Sequence, residues 1–532
     1  MPKFAALDIG SNSIRMAVAE LDHSPNPSAR PFCRILATER EVVRLGESVF
    51  REGRLSFAAI AAARRTLSRM AEIYRQFDVE SVRAVATSAV RDARNQDEFL
   101  GPASQSAGAP VEIISGIEES RLIHMGVQLR WPHPNERILI VDVGGGSAEL
   151  ILSEAGQIRA SFSKPLGAVR LQQMFLRNDP PTTAELRSMD RYIEEKLAPA
   201  LRGIGGRTLH RVIATSATAA SVVGAANRIE RSERDRADRL SATAAQVRKL
   251  YEAASIRDLE GRQRMPGVGP RRAEVLVPGM AVLRQVLEGS RQPALYYSVA
   301  GVRDGLLADL LERHSSSRAS LLNREQHAAV ENLARRYGID FEHVRRIAAL
   351  AHELFIELRP LHGLTEHAGV LLYAAAILMD VGHYVSDSRH HQHSYYLVLN
   401  SPLPGFLDNE RSVIASLCLY HRRSAPAAED LNLQIISETD RQSVRLLAPL
   451  LRIADALVSS RNPVRGVRCE ISDSDVCLML ATEADIDLEQ WAIQQVEEPF
   501  HQVYGRRLAV SRVLPATGSK EHRAGPAKAR AF

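Results

Sequence analysis

The chain has 532 residues, of which 45% are apolar and 25% charged, and 68 basic against 63 acidic side chains leave a net charge of only +5. At roughly 100 to 200 residues per domain this length predicts three or four domains with sizeable cores, and the composition excludes a disordered or fibrous chain. So even a charge gives no reason to expect nucleic acid as a partner, so any polyanion contact must be local.

The first apolar run, Phe4-Ala5-Ala6-Leu7-Asp8-Ile9-Gly10, carries an acid where a secretory leader would stay apolar, so a cytoplasmic protein is expected. From Leu7 the sequence reads Leu7-Asp8-Ile9-Gly10-Ser11-Asn12-Ser13-Ile14-Arg15-Met16. A second copy, Val141-Asp142-Val143-Gly144-Gly145-Gly146-Ser147-Ala148-Glu149-Leu150, follows 134 residues later. Each copy is an apolar strand ending in Asp, a small-residue turn and a resumed apolar strand, which predicts two β-hairpins and two homologous lobes. Between them the pattern predicts a helix near Ser56–Phe77, a strand at Val82–Thr87, a helix near Gln96–Gln105 and a strand at Val111–Ile114. This alternation is the α/β pattern. A further strand is expected at Arg211–Ala214, and a third Gly-bearing strand end at Tyr296–Gly305.

A polar connector, His314–Ser320, then precedes a stretch from about Arg324 to Ala456 whose periodicity is wholly helical. Its longest apolar run, Val370–Met379, is stopped by Asp380, short of the ~18 residues a membrane span needs. Nine of the 17 histidines fall between His343 and His421. The cysteines Cys33, Cys418, Cys469 and Cys477 have no C-x-x-C spacing and read as structural thiols. The end of the chain is basic (Arg506, Arg507, Arg512, Lys520, Arg523, Lys528, Arg530, against Glu521), and disorder is expected after about Ala516. The expected domains are lobe I at 1–130, lobe II at 131–312, a helical domain at 321–500 and a basic segment at 501–532.

Gly-rich turns let backbone amides converge on an anion. One such turn is usually just a turn, but two copies, each preceded by Asp, favour a pair of phosphate cradles, with Asp8 and Asp142 placed to hold Mg²⁺ directly or through water. Arg91, in Thr87-Ser88-Ala89-Val90-Arg91-Asp92-Ala93-Arg94-Asn95, is a candidate bidentate phosphoryl clamp. In Ser115-Gly116-Ile117-Glu118-Glu119, Ser115 and Glu118 form a capping box, which gives Glu118 a structural purpose. Adjacent helical residues point about 100° apart, so Glu118 and Glu119 cannot share a site, and Glu119 is the candidate for chemistry.

The set D-I-G-S-N-S, T-S-A-x-R-x-A-x-N, S-G-x-E-E and D-x-G-G-G-S-x-E resembles the Ppx/GppA phosphatase family, the exopolyphosphatases and guanosine pentaphosphate phosphohydrolases. Pro165–Leu171, Pro278–Ala281 and Gly301–Gly305 add matches, so the resemblance reaches about Leu457. It implies two actin-like (ribonuclease H-like, ASKHA) lobes followed by an all-α HD-like domain, acting as a homodimer. It also implies hydrolysis of a terminal phosphoanhydride with Mg²⁺ or Mn²⁺. Glu119 would be the general base, and Asp8, Asp142 and Glu149 would surround the metal. The amides of Ser11, Asn12, Ser13, Gly145, Gly146 and Ser147, with Arg91, would hold phosphoryl oxygens.

Two departures stand out. The family's adenosine-side S-G-T reads Ser216-Ala217-Thr218 here, putting a methyl where a nucleoside would lie, which tilts the expected substrate to inorganic polyphosphate over guanosine pentaphosphate. In the HD-like domain Met379 replaces the His of the His-Asp pair, leaving His343, Asp380 and Asp455 as a remnant, with His391, His393 and His421 nearby. A thioether is a poor ligand for Mg²⁺ or Mn²⁺, so an active HD site is not expected. The rivals are a sugar-kinase-like transferase, against which the water-orienting Glu119 argues, and a non-catalytic polyphosphate or alarmone sensor.

Overall fold

The computed structural model describes residues 2–22, 32–205, 208–229, 237–316, 321–422, 430–434, 436–459, 464, 466–482 and 486–513. Arg423 and the basic residues from Lys520 onward lie outside them. The chain divides into two compact units, Met1–Arg318 and Ala319–Phe532.

In the first unit, β1 (Lys3–Ile9), β2 (Ser13–Asp22), β3 (Phe32–Val42), β4 (Ser81–Ala86) and β5 (Val111–Ile113) form one sheet in the order β3-β2-β1-β4-β5. The second sheet contains β6 (Arg137–Val143), β7 (Ala148–Glu154), β8 (Gln157–Lys164), β9 (Arg211–Thr215), β10 (Ser241–Thr243) and β11 (Ala294–Tyr297), in the order β10-β11-β9-β6-β7-β8. With the edge strand β10 set aside, the two orders are the same: an antiparallel three-strand meander continued by two parallel strands. The register irregularity between Val18 and Ala19 recurs between Leu152 and Ser153, at the same offset as the hairpin motifs. Two copies of one lobe, down to the bulge, account for the internal repeat.

Local signals set the elements between. Ser56 caps the helix Phe57–Arg75 by accepting from the Ala59 amide, and Gly108 in the left-handed region ends the helix Gln96–Ala107. Each lobe has a core of its own, one drawn from residues 5–111 and the other from 139–297, and a further apolar layer joins the two. The helix Val302–Ser316 packs on the helix Gly116–Arg130 and on β1. One apolar cluster joins Phe4, Leu122, Ile140, Ile213 and Leu306 from both sheets. The last helix of lobe II therefore belongs to the layer between the sheets, and it runs through the first residues of the expected connector.

The second unit is built on helices that include Phe341–Glu357, Glu366–Leu378, His390–Asn400, Asp408–Tyr420 and Glu438–Ser459. It is not wholly α. Three strands, β12 (Val467–Ile471), β13 (Asp475–Ala481) and β14 (Arg507–Val513), form a sheet in that order, with β14 parallel to β13. The start of the basic segment is thus an ordered strand, because alternate residues such as Leu508 are buried against this unit's core. No helix among the described residues is long and apolar enough to cross a membrane.

Candidate active site

The two hairpin turns are built alike. The Gly10 amide donates to the Ser13 carbonyl at 3.1 Å, and the Gly144 amide to the Ser147 carbonyl at 3.0 Å. The turns meet face to face: a Cβ on Gly146 would come within 2.4 Å of the Ser88 hydroxyl and 2.9 Å of the Ser11 hydroxyl, so only glycine fits there. Their carbonyls are taken up by protein. The Gly144 and Gly145 carbonyls accept from the amides of Ala168 and Val169, the Ser11 carbonyl from Gly46, and the Asn12 carbonyl from Val43 and Arg44. The amides of Asn12, Gly145 and Gly146 find no protein acceptor among the described residues, the arrangement an anion cradle needs. Arg170 braces the wall by donating to the Gly146 carbonyl at 2.7 Å and lying over the Phe50 ring.

These turns line a cleft together with Asp8, Arg15, Arg40, Ser88, Glu119, Asp142, Ser216, Ala217 and Arg272. Asp8 ends β1 opposite Arg15, and Asp142 ends β6 opposite Glu149, so the duplicated position holds a cation in one lobe and a carboxylate in the other. Burial raises the carboxyl pKa of Asp8, with the charges of Arg15 and Arg303 opposing. Burial pushes Asp142 up to about 6. The Asp142 Oδ1 is buried without a hydrogen-bond partner. Glu149 does not itself line the cleft: it is 1% exposed and accepts from the Ser163 hydroxyl at 2.9 Å. Burial first, then the charges of Glu119 and Asp142, raise its pKa well above the usual range.

Glu119 sits in the first turn of the helix Gly116–Arg130, and burial raises its carboxyl to about 7 against the opposing charge of Arg91. Arg91 Nη1 lies 3.3 Å from Glu119 Oε2 and donates to the Ile114 carbonyl at 2.6 Å. Arg91 therefore orients Glu119 and is not among the residues lining the cleft. Glu118 faces elsewhere. The Ser115 hydroxyl accepts from the Glu118 amide, but the Glu118 carboxylate turns to Arg121, at 2.7 and 2.9 Å, and to Arg83 at 3.0 Å, so its purpose is a buried ion pair and not the expected capping box.

Sequence reasoning missed Arg15, Arg40 and Arg272 in the cleft. Arg15 was legible as the hairpin partner of Asp8. Arg272, which donates to the Thr218 hydroxyl at 2.7 Å, had no local signal. Ser216, in the left-handed region at φ 69°, donates to the Val143 carbonyl and sets Ala217 in the cleft wall.

The HD-like remnant does not assemble as expected. Among the described residues Asp380, His383 and His390 bring ligand atoms within 4.8 Å of one another, with His421 Nε2 3.6 Å from Asp380, and neither His343 nor Asp455 joins them. His343 is half-buried on the helix Phe341–Glu357, and Asp455 lies 3.8 Å from Arg422.

Two duplicated α/β lobes closing on a cleft floored by carboxylates and walled by loop amides make this a phosphoanhydride hydrolase of the actin-like fold. The sequence matches the Ppx/GppA phosphatase family over residues 27–314 and domain III of that family over residues 326–495, and the chain belongs to this family. It is 28% identical over 465 residues to the guanosine-5'-triphosphate,3'-diphosphate pyrophosphatase of Aeromonas hydrophila, a match that covers 86% of this chain and 88% of that one. The crystal structure of the Ppx/GppA family member of Aquifex aeolicus aligns at a TM-score of 0.51 and 26% identity, over 59% of this chain and 98% of that one. The crystal structure of an exopolyphosphatase from Cytophaga hutchinsonii shares the fold at a TM-score of 0.54 and 24% identity, over 58% and 98% of the two chains.

Proposed function

We propose that the chain is an exopolyphosphatase, releasing terminal orthophosphate from inorganic polyphosphate by in-line attack of water. The observation that carries this reading is the lining of the cleft, amides and arginines that suit successive phosphates; among the described residues that line it there is no aromatic side chain against which a guanine would stack. The Ala217 methyl in the same wall adds to it. Glu119 is the base: with its carboxyl raised to about 7, it accepts a proton near neutral pH more readily than an ordinary carboxylate. As the water oxygen bonds to the terminal phosphorus, the bridging P–O bond breaks and its electron pair leaves with the shortened chain. Glu119 takes the water's proton and returns it to solvent.

The residues present fit a hard divalent cation. Asp142 Oδ1 lacks a partner and Asp8 lines the same cleft, yet Asp8, Asp142 and Glu149 do not form a cluster with all oxygens within 4.8 Å of one another. That suits Mg²⁺, which binds through one or two carboxylates and keeps several waters. When bound, Mg²⁺ (or Mn²⁺) neutralises charge on the phosphoryl oxygens.

A second reading, hydrolysis of guanosine pentaphosphate, rests on the name of the Aeromonas relative. Phosphate release from long-chain polyphosphate and from guanosine pentaphosphate, measured side by side, separates them. The proposal expects kcat/KM at least about ten-fold higher on polyphosphate, a difference of about 1.4 kcal/mol. A preference for the nucleotide establishes the second reading, and binding of either without turnover would make the protein a sensor.

A further inference from the structure

The histidine-rich unit brings together groups that the cleft chemistry does not use. Asp380 follows the helix Glu366–Leu378, and its Oδ1 is buried without a hydrogen-bond partner. Three imidazoles converge on that oxygen: His383 Nε2 at 3.7 Å, His390 Nε2 at 3.6 Å and His421 Nε2 at 3.6 Å. The Nε2 atoms of His390 and His421 are 3.2 Å apart.

The far side of each ring fixes its tautomer. Nδ1 of His421 lies 2.7 Å from the Cys418 carbonyl, Nδ1 of His390 lies 3.3 Å from the Asp387 carbonyl, and Nδ1 of His383 lies 2.8 Å from the Asp387 carboxylate. Carbonyl and carboxylate oxygens only accept, so each neutral ring carries its proton on Nδ1 and turns a bare Nε2 lone pair inward. The His390 and His421 lone pairs, 3.2 Å apart beside an unpartnered carboxylate oxygen, repel one another unless a cation lies among them. Orientation of imidazole ligands through the outer nitrogen is the usual support of a metal site.

The spacing agrees. Bonds of about 2.0–2.1 Å to a tetrahedral ion place ligand atoms about 3.3 Å apart along each edge. Asp380, His390 and His421 form a triangle with sides of 3.2 to 3.6 Å, close to that edge. The backbone holds this geometry. Ser394 Oγ bonds both the Met379 carbonyl and the Gly382 amide, and a Cβ on Gly382 would lie 2.0 Å from the His390 carbonyl oxygen, so the turn carrying His383 is clamped on the helix His390–Asn400. The His421 side chain is fully buried and that of His390 nearly so, whereas that of His383 is 41% exposed and marks the entry side.

We propose that Asp380, His390 and His421 bind a borderline transition-metal dication such as Zn²⁺, with the His383 ring stacked on His390 at the entry side, where water completes the coordination. The site does not depend on the reading of the cleft. Two imidazole nitrogens beside one carboxylate oxygen favour such an ion over Mg²⁺, and so the loss of an imidazole at Met379 does not abolish metal binding in this unit; it moves the binding onto other histidines.

The test is Co²⁺ titration of the chelator-stripped full chain with excess Mg²⁺ present to saturate hard sites. One Co²⁺ per chain is expected, with the intense visible absorption of tetrahedral coordination, displaced by Zn²⁺. His421→Ala and His390→Ala should each weaken binding at least 100-fold. His343→Ala should leave it unchanged. If the unaltered chain gives no tetrahedral Co²⁺ spectrum, the three rings merely share protons and the proposal is wrong, whether or not the variants fold. It is equally overturned if His343→Ala abolishes the spectrum while His421→Ala preserves it.

Discussion

Adjacent glutamates at the start of one helix divide structure from chemistry. Glu119 lines the cleft beside Arg91, and Glu118 is held between Arg83 and Arg121. Glu119→Gln keeps the shape and the hydrogen bond to Arg91 but cannot accept a proton, so turnover should fall by about 10²–10⁴-fold with the melting temperature unchanged. Glu118→Gln should do the reverse: it weakens a buried ion pair, lowering the melting temperature while kcat of the folded fraction stays near that of the unaltered chain. Thermal melts and steady-state kinetics on both variants decide the assignment, and it fails if Glu118→Gln is the variant that loses kcat. The sequence made this pair legible because neighbouring helical positions point apart. It did not show that Glu118 would find Arg83, 35 residues away in the chain.

At the scale of elements, the first unit is tied together by a buried network of charges. Asp309, on the helix Val302–Ser316, accepts from Arg83 of β4 at 2.6 Å, from Arg121 of the helix Gly116–Arg130 at 2.6 Å and from Arg313 at 2.8 Å. Burial alone would raise its pKa, but Arg121, Arg313 and Arg83 overcome that and hold it well below the usual carboxylate range. Because the folded-state pKa is depressed, the stabilisation is complete above the unfolded value of about 3.9 and is lost as pH falls below it. Asp309→Asn should therefore cost about 3–5 kcal/mol at neutral pH, since it leaves buried arginines short of a counter-charge. It should also flatten the decline in stability below about pH 4. Denaturant titrations at pH 7 and in the acid range check both; an unaltered acid slope would show that Asp309 does not set it. The network ties the two lobes together across the expected boundary at residue 130, because its partners come from both sides of it.

On the scale of the whole molecule, the two units have separate apolar cores: the clusters of the first draw only on residues up to Leu311, and that of the second begins at Leu322. A chain ending at Arg318 should therefore fold and hydrolyse short substrates. Long polyphosphate carries one charge per phosphate, so salt-sensitive contacts on the second unit should matter for it. Candidates for those contacts are Arg346, Arg389 and His393; Arg345 is already paired with Glu331, and Arg422 lies 3.8 Å from Asp455. Truncation is expected to raise KM for long chains by about ten-fold or more, equivalent to about 1.4 kcal/mol, and to make release distributive. Product-length analysis on gels gives the readout, and a truncated chain that stays processive on long polymer would remove any role for the second unit in holding it.

What the sequence determined by itself was whatever local pattern encodes. Alternation and a repeated Asp-Gly-small-residue turn gave both hairpins and the duplication, hence Asp8, Asp142 and the two cradles, because strand period and turn chemistry are set within about ten residues. What only the tertiary structure decided were encounters between distant segments: Arg272 reaching Thr218 at the cleft, the helix Val302–Ser316 crossing to β1, strand β14 drawn from a tail that reads as basic, and His390 and His421 meeting over Asp380. In each case the local pattern is satisfied by an ordinary solvated charge, helix or tail. The contact is fixed by burial and pairing across tens to hundreds of residues, which no period in the sequence records.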